Sequence, residues 1–293
     1  MLRLYKSKEI FKLFNKLGVP VAPEKVHGPL TCLEFLGITL DSVNMEARLS
    51  TEKVLKLRND IHVFSGRKKC SKRELLSLIG SLSFACKVIV PGRPFLARLI
   101  SLSCTVKKLH YKVYLNKQVR EDLSSWHMFL RSWNGKNFFL DQYTVQSSDI
   151  EFYTDAASTL GYAAYFQGAW FSLSWEKDQL NFSMSEMELY PIVVAASVWG
   201  TLWAGKRILV HCDNEGTVGI INKGYSNKGS IAHLLRQLML TSMRWNFYLR
   251  AIHIPGKINI KADLLSRFQM SKFHQVTPEA DLFPTFVKNS DKP

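Results

Sequence analysis

The chain has 293 residues, of which 46% are hydrophobic and 12% aromatic, so it has enough apolar content for one or two folded domains and is not a disordered chain. Its formal net charge is +15, and the excess lies in the first half: residues 1–150 carry 25 basic and 12 acidic residues (+13), whereas residues 151–293 carry 14 and 12 (+2). This asymmetry favours a module that grips a polyanion beside a nearly neutral one, although a merely soluble basic surface gives the same count.

Cysteine usage and hydropathy exclude several classes of protein. The five cysteines are odd in number and show no zinc-binding spacing, which indicates reduced packing residues inside a cell. No apolar run approaches the roughly 20 residues of a membrane span. The N-terminus has scattered charges and no signal-peptide core. We therefore expect an intracellular protein, cytoplasmic or nuclear, without a membrane partner.

The first half of the chain predicts mainly helices. Apolar residues recur at helical spacing over residues 4–17, and LTCLEFLGITLD (30–41) predicts a β-hairpin. Further helices are predicted after Ser50, ending on Gly66, then over 74–89 and over 120–133.

The pattern changes near residue 148. In chain order the second half predicts three strands within 149–157 and 161–175, with Gly161 and Gly168 as turns. A long apolar helix, a buried strand, a helix, a strand and a final helix follow, in the segments 185–205, 206–213, 230–245, 246–256 and 262–268. This order is typical of an α/β layer with a mixed sheet. Pro191 fits the long helix only in its first turn. The last 24 residues, 270–293, predict an extended tail.

Four acidic residues of the second half occupy element ends. Asp155 interrupts an apolar strand, Glu188 lies near the start of the long helix, Asp213 ends the strand ILVHCD, and Asp263 begins the last helix. Each has an ordinary explanation as a turn, a cap or a partner of the helix dipole. Together they are expected to converge, because sites in α/β sheets form at strand carboxyl ends and adjacent helix N-termini.

Four carboxylates in one cleft repel one another unless cations bind them. Oxygen ligands of this kind suit Mg²⁺ or Mn²⁺. Two such ions about 3.5–4 Å apart stabilise the attacking and leaving oxygens of phosphodiester hydrolysis. The chemistry suggested is metal-dependent cleavage of a nucleic acid.

The motifs FYTDAAS…GYAAYF, SEMELYPIV, VHCDNEGTVGIIN and HIPGKINIKADLLSRF resemble the four acidic motifs of type 1 ribonuclease H. The sequence of the last motif is similar to the corresponding motif of the ribonuclease H domain in long-terminal-repeat and DIRS-like retrotransposon polyproteins. The resemblance covers about residues 149–269. It implies a ribonuclease H-like mixed five-stranded sheet with flanking helices, and two Mg²⁺ (or Mn²⁺) ions held by Asp155, Glu188, Asp213 and Asp263.

Three other residues near these motifs leave alternatives open. Glu186 and Glu215 rival Glu188, which is preferred because it directly precedes the apolar run LYPIVVAA, as the glutamate of the family does. His253 matches the spacing of the family's catalytic histidine, which assists water attack or product release. Here it continues a strand-like run into Pro-Gly, so a structural role remains equally open.

The order of the acids separates the chain from a related class of enzymes. Integrases and transposases share the sheet but use a glutamate that follows both aspartates. Here the glutamate falls between the first and second aspartates, so strand-transfer chemistry is not expected.

The first half resembles the end of a reverse transcriptase. LGVPVAPEKVHGPLTCLEFLGITLD is similar to the segment that follows the polymerase aspartates, and residues 50–102 are similar to thumb helices. No YxDD-type pair occurs, so reverse transcriptase activity is not expected. RKKCSKR is its densest basic cluster, and its side chains Arg67, Lys68, Lys69, Lys72 and Arg73 are candidate phosphate contacts. A solvated turn between helices explains this cluster equally well.

These observations predict four regions: the end of a truncated palm (1–45), a mainly helical thumb and connection region (46–148), a ribonuclease H-like domain (149–269) and a tail (270–293). The expected function is endonucleolytic cleavage of the RNA strand of RNA–DNA hybrids, with other polymerase domains of the parent element as further partners. The alternative is a non-catalytic nucleic-acid-binding remnant or an element-derived binding module.

Overall fold

A computed structural model describes residues 2–23, 26–28, 30–44, 46–132, 137–138, 152–226 and 228–293. The predicted boundary between the second and third regions, at residues 148–149, lies outside the described residues.

The first half of the chain is mainly helical and contains two small antiparallel sheets. In chain order its elements are α1 (Leu2–Lys16), β1 (Cys32–Phe35), β2 (Ile38–Asp41), β3 (Glu46–Leu49), α2 (Thr51–Ser65), β4 (Lys69–Ser71), α3 (Lys72–Ala85), a 3₁₀ helix (Val90–Leu96), α4 (Ala97–Cys104), β5 (Lys112–Tyr114), α5 (Lys117–Ser132) and β6 (Asn137–Phe138). One sheet has the strand order β1-β2-β3-β6, and the other pairs β4 with β5. The predicted hairpin β1–β2 is present. Strand β3 is not predicted, because its residues EARL lack the β-branched and aromatic side chains that mark strands.

The second half forms one five-stranded sheet with helices on both faces. Its elements are β7 (Phe152–Ala157), β8 (Gly161–Phe166), β9 (Ala169–Ser174), a 3₁₀ helix (Gln179–Asn181), α6 (Met184–Trp199), β10 (Arg207–Cys212), α7 (Glu215–Lys223), α8 (Gly229–Trp245), β11 (Tyr248–His253), α9 (Ile260–Ser266), α10 (Met270–Val276) and a 3₁₀ helix (Asn289–Asp291). The strand order is β11-β10-β7-β8-β9, with β7, β8 and β9 antiparallel and β10 and β11 parallel to β7.

Strand β8, next to the central strand β7, shows why both faces of this sheet are covered. All six of its residues are buried. Tyr162 and Phe166 belong to the main hydrophobic core with α6, whereas Ala163 and Tyr165 pack with Phe273 of α10 on the other face. The mixed five-stranded sheet with flanking helices, and the mainly helical region before it, confirm the predicted ribonuclease H-like fold class.

Pro191 is not in the first turn of α6, as the sequence analysis required, but at the eighth of its sixteen residues. A proline there removes the hydrogen bond to the carbonyl of Met187. The helix persists because almost every residue of α6 is buried, so tertiary packing outweighs the local cost.

Two helices of the second half are absent from the sequence prediction. Helix α7 contains Gly216 and Gly219, which weaken the helical signal, but Asn214 caps it by accepting from the Thr217 amide at 2.9 Å. Helix α10 lies in the expected extended tail, so that expectation is wrong for Met270–Val276. The tail also pairs with the edge of the sheet, where the Thr285 amide donates to the carbonyl of Trp170 at 2.6 Å.

The two halves pack on one another through a continuous hydrophobic core. Helix α8 contacts the Val90–Leu96 3₁₀ helix and α5. At this junction the buried Asp122 accepts from Arg236 Nε at 3.0 Å and from an Arg98 Nη atom at 3.3 Å. Burial raises the pKa of Asp122 to about 6 despite the opposing effect of both guanidinium groups. Within the described parts of the chain, no helix is long and apolar enough to span a bilayer.

Candidate active site

The first two aspartates lie at the same edge of the sheet. Tyr153 of β7 is in register with His211 of the parallel strand β10. Asp155, inside β7, and Asp213, directly after β10, each lie two residues further on, so the pairing brings them level on adjacent parallel strands. This is the arrangement expected from the sequence.

Asp155 is held by two polar side chains of the last motif. It is 5% exposed. Ser266 Oγ donates to its Oδ2 atom, and Asn259 Nδ2 lies 3.5 Å from its Oδ1 atom. Asn259 also donates to the carbonyl of Thr154 at 2.9 Å, which fixes the amide against β7. Burial raises the pKa of Asp155 to about 6; the hydrogen bond from Ser266 opposes this shift, and the nearby Asp213 adds to it.

The two glutamates of α6 have different surroundings, and this distinguishes Glu188 from Glu186 as the candidate metal ligand. Glu186 Oε2 accepts from the Ser183 amide at 2.9 Å and from Ser183 Oγ at 2.6 Å, so Glu186 completes a capping box. Burial pushes the pKa of Glu186 upward, but the hydrogen bonds from Ser183 and Ser230 outweigh it and leave the pKa lowered. Glu188 has no capping role and lies one turn into the helix.

Glu188 is 4% exposed and faces the end of β10. The Cys212 thiol lies 4.0 Å from Glu188 Oε2, and ligand atoms of Glu188, Cys212 and Asp213 all fall within 4.8 Å of one another. Burial raises the pKa of Glu188 to about 9, and the charges of Asp155 and Asp213 add to the shift. The three carboxylates of β7, α6 and β10 therefore share one electrostatic environment.

Cys212 lies next to the carboxylates, a position that the sequence analysis did not predict when it assigned the cysteines to packing. Ile208, Val210 and Cys212 alternate as the buried residues of β10, and that alternation is the sequence signal that places the thiol on the buried face. Burial raises the pKa of the Cys212 thiol, and the nearby Glu188 adds to this, so the group stays neutral. A neutral thiol is a poor ligand for Mg²⁺, which prefers oxygen.

Asp263 lies on α9 and is more open than the other three acids. Its side chain is 38% exposed and forms an ion pair with Arg267, whose Nε atom is 2.7 Å from Asp263 Oδ1. The hydrogen bond to Asp263 raises the pKa of Arg267. Burial raises the pKa of Asp213, and the charge of Asp263 acts in the same direction. Asp263 thus interacts electrostatically with the other carboxylates from the solvent side.

His253 is the last residue of β11, where it pairs with Cys212 of β10. Its Nε2 atom is 3.2 Å from the carbonyl oxygen of Asp213, and its Nδ1 atom is 4.0 Å from Glu215 Oε1. The side chain is 39% exposed, whereas that of Glu215 is 84% exposed. The histidine therefore lies beside the carboxylates on an ordered strand, and Glu215 lies outside the cluster.

The loop after His253 closes over Asp213. A Cβ atom on Gly256 would lie 3.1 Å from Asp213 Oδ2, so a glycine allows this close approach. The amide of Asn259 donates to the Gly256 carbonyl at 3.1 Å, which leads the chain directly into α9. The sequence HIPGKIN therefore forms one wall of the site.

The basic cluster of residues 67–73 is not a simple turn between helices, because it contains β4 and the start of α3. Arg67 pairs with Glu74 at 2.7 Å, and Lys72 Nζ donates to the carbonyl of Val106 at 2.7 Å. Two of the five predicted phosphate contacts are therefore engaged within the protein. The other three, Lys68, Lys69 and Arg73, form no side-chain ion pair among the described residues.

The donor set fits hard divalent cations. Among the described residues, Asp155, Glu188 and Asp213 form no ion pair with a lysine or arginine. Three mutually repelling carboxylates are unfavourable in this form, and raised pKa values are the consequence. Bound cations would remove the repulsion and supply the missing positive charge.

Sheet order and carboxylate placement together define an α/β protein of the ribonuclease H-like fold with a candidate metal site at its strand ends. No protein-family model and no curated protein matches the chain. Among solved structures it is similar to a foamy viral protease–reverse transcriptase in complex with an RNA/DNA hybrid, at 15% identity and a TM-score of 0.39 over 85% of this chain and 33% of the other. It is also similar to a foamy viral protease–reverse transcriptase in complex with dsDNA, at 16% identity and a TM-score of 0.35 over 84% of this chain and 50% of the other. The chain thus spans between a third and a half of these proteins, and likeness at such scores assigns no function.

Proposed function

We propose that the protein is a two-metal endonuclease that hydrolyses the RNA strand of RNA–DNA hybrids. The observation that carries the proposal is the convergence of Asp155, Glu188 and Asp213 at one sheet edge, with Asp263 beside them. Among the described residues the first three form no ion pair with a lysine or arginine. A purely structural role gives no physical reason to bury Asp155 and Glu188 together beside the half-buried Asp213.

Asp155, Glu188, Asp213 and Asp263 would hold Mg²⁺ or Mn²⁺ ions. When bound, a pair of such ions supplies an activated water and stabilises the attacking and leaving oxygens of phosphodiester hydrolysis. Cys212 is not counted as a ligand, because burial keeps its thiol protonated.

Other side chains of the protein would orient the carboxylates and the reacting groups. Ser266 and Asn259 fix the carboxylate of Asp155 through hydrogen bonds to both of its oxygens. Glu188 is placed to form a hydrogen bond with the substrate side, and burial keeps its carboxyl protonated near neutral pH in the metal-free protein. His253, half-exposed beside Asp213, is in position to assist the attacking water or product departure.

The choice of an RNA–DNA hybrid rests on the motif resemblance and on the chemistry of the substrate. Proteins distinguish such hybrids by 2′-hydroxyl contacts and by an A-like minor groove. We assign the nuclease to residues 149–269 and the supporting, phosphate-gripping role to the basic region 46–148, with polymerase domains of a parent element as candidate partners.

The test is cleavage of a labelled hybrid by the purified chain, with the metal varied. We expect Mg²⁺- or Mn²⁺-dependent cuts in the RNA strand and none in EDTA. Asp155→Asn should remove cleavage while hybrid binding in EDTA persists. Absence of metal-dependent cleavage, with hybrid binding retained, would instead support the non-catalytic binding module.

A further inference from the structure

A second cleft lies at the junction of the two halves, away from the carboxylates. It has a volume of about 530 Å³. One wall is the Val90–Leu96 3₁₀ helix, and the other is the end of α7 with the first residues of β10 and β11. We call this cleft the seam groove; its defining residues are Arg93, Pro94, Arg207, Lys223, Gly224 and Arg250.

The seam groove is strongly positive. Four basic side chains line it, all exposed, and no acidic side chain among the described residues does so. Within that same part of the chain these four form no ion pair and no side-chain hydrogen bond, in contrast to Arg67 and Lys72 of the basic cluster. Clefts lined by one sign of charge concentrate their field and attract counter-ions of the opposite sign. The groove is therefore complementary to an anion.

The seam groove continues into a second hollow. This length favours an extended strand over a small anion as its ligand. A second hollow of about 370 Å³ shares Arg93, Pro94, Lys223 and Gly224 with the first and adds the ring of Tyr225. Tyr225 is 51% exposed. A positive channel that tracks a backbone, with aromatic rings on which bases stack, is the usual design for binding single strands.

The seam groove and the candidate active site lie at opposite ends of the sheet. Arg207 begins β10, and Asp213 follows the last residue of that strand. Six residues of extended chain separate them, which is about 20 Å. The end of α7 is fixed to β11 on the groove side, since Asn222 Nδ2 donates to the Ala251 carbonyl at 2.8 Å. A ligand in the groove would therefore not occupy the carboxylate site.

We propose that the seam groove binds the phosphodiester backbone of single-stranded nucleic acid. Arg207 and Arg250 contact phosphates from the sheet, Arg93 and Lys223 contact them from the opposing wall, and Tyr225 stacks on a base. This is a second binding site, independent of the nuclease assignment. It suits the single strand that flanks a duplex held elsewhere on the protein.

The experiment is fluorescence anisotropy of a labelled single-stranded RNA and its DNA counterpart, in EDTA so that no cleavage intervenes. We expect Arg207→Glu/Arg250→Glu to weaken binding by at least about tenfold at low salt, and the salt dependence to fall by about 0.7 per lost phosphate contact. The control is Lys177→Glu/Lys272→Glu, which makes the same charge change at exposed positions outside the groove and outside the basic region 46–148.

Each outcome decides the proposal. Selective weakening in the groove variant supports it, and equal affinities for the wild type, groove variant and control overturn it. Tripolyphosphate binding that is lost in the groove variant, while the strand affinity of that variant equals that of the wild type, would also overturn it, because the groove would then be a small-anion pocket. If the melting temperature of the charge-reversal variant falls, Arg207→Gln/Arg250→Gln takes its place, and an unchanged salt slope for that variant overturns the proposal. Metal-dependent hybrid cleavage is measured separately, so failure of the groove and failure of the nuclease are distinguishable.

Discussion

Replacing Glu188 by glutamine should stabilise the metal-free protein while removing its activity. Burial and the neighbouring aspartates raise the pKa of Glu188 from 4.5 to about 9 in the folded protein. An acid with a raised folded-state pKa lowers stability as pH rises from its unfolded pKa toward its folded one. At pH 7 the side chain is ionised when unfolded and protonated when folded, which costs about 3 kcal/mol. Glutamine never ionises and avoids this cost.

The expected result is therefore a gain of about 3 kcal/mol in the free energy of unfolding at pH 7 and no gain at pH 4. Urea denaturation in EDTA at both pH values measures it, and thermal melts should show a rise of roughly 5–10 °C at pH 7. Glu186→Gln is the matched control on the same helix. Its capping box stabilises the charged form, so that variant should lose up to about 1 kcal/mol. A loss of stability in Glu188→Gln at pH 7, or a gain that does not vary with pH, would refute the reasoning.

Three further predictions test other parts of the structure. Ser266→Ala removes the hydroxyl that holds down the pKa of Asp155, so the acidic limb of the cleavage pH profile should move to higher pH, and an unmoved profile would contradict that role. Mn²⁺ at a concentration of one hundred times its dissociation constant should stabilise the EDTA-treated protein by about 2.7 kcal/mol and so raise its melting temperature. The rise in melting temperature should be much smaller in Asp155→Asn. Gly92→Ala would place a Cβ atom 2.4 Å from the buried Trp126 ring, so urea denaturation should show a loss of about 1–3 kcal/mol, and an unchanged midpoint would exclude that close packing.

The sheet and the relative positions of two of the acids could be predicted from the sequence, because strand patterns are local. Asp155 interrupts an apolar strand and Asp213 ends another, and the carboxyl ends of parallel strands meet at one edge, so their proximity follows from the element order. Helix α7 was not predicted, since two glycines hide a helix that Asn214 and the left-handed Gly224 define at its ends.

The choice between Glu186 and Glu188 shows what single motifs leave open. Both precede the same apolar run, and the preference for Glu188 came from resemblance. The segment SMSE at 183–186 does carry the Ser-x-x-Glu pattern of a capping box, which would have assigned Glu186 to the helix end without a structure. The approach of the Cys212 thiol to Glu188 depends on how α6 packs against β10, and no local pattern gives that distance.

The predictions of an extended tail and of Pro191 in a first helical turn were wrong for the same physical reason. Prolines suggested an extended tail and a helix start, but Phe273 is fully buried against the sheet and α6 is surrounded by core residues. Tertiary burial outweighs local backbone preference at both places.

The most direct test of the proposed function is single-turnover cleavage of an RNA–DNA hybrid by the wild type, Glu188→Gln and Glu186→Gln in Mn²⁺. We predict cleavage of the RNA strand by the wild type, a loss of at least about a hundredfold in Glu188→Gln, and a rate near that of the wild type in Glu186→Gln. A wild type that leaves the hybrid intact, or equal rates for the wild type and Glu188→Gln, would contradict the assignment of a metal-dependent nuclease to these carboxylates.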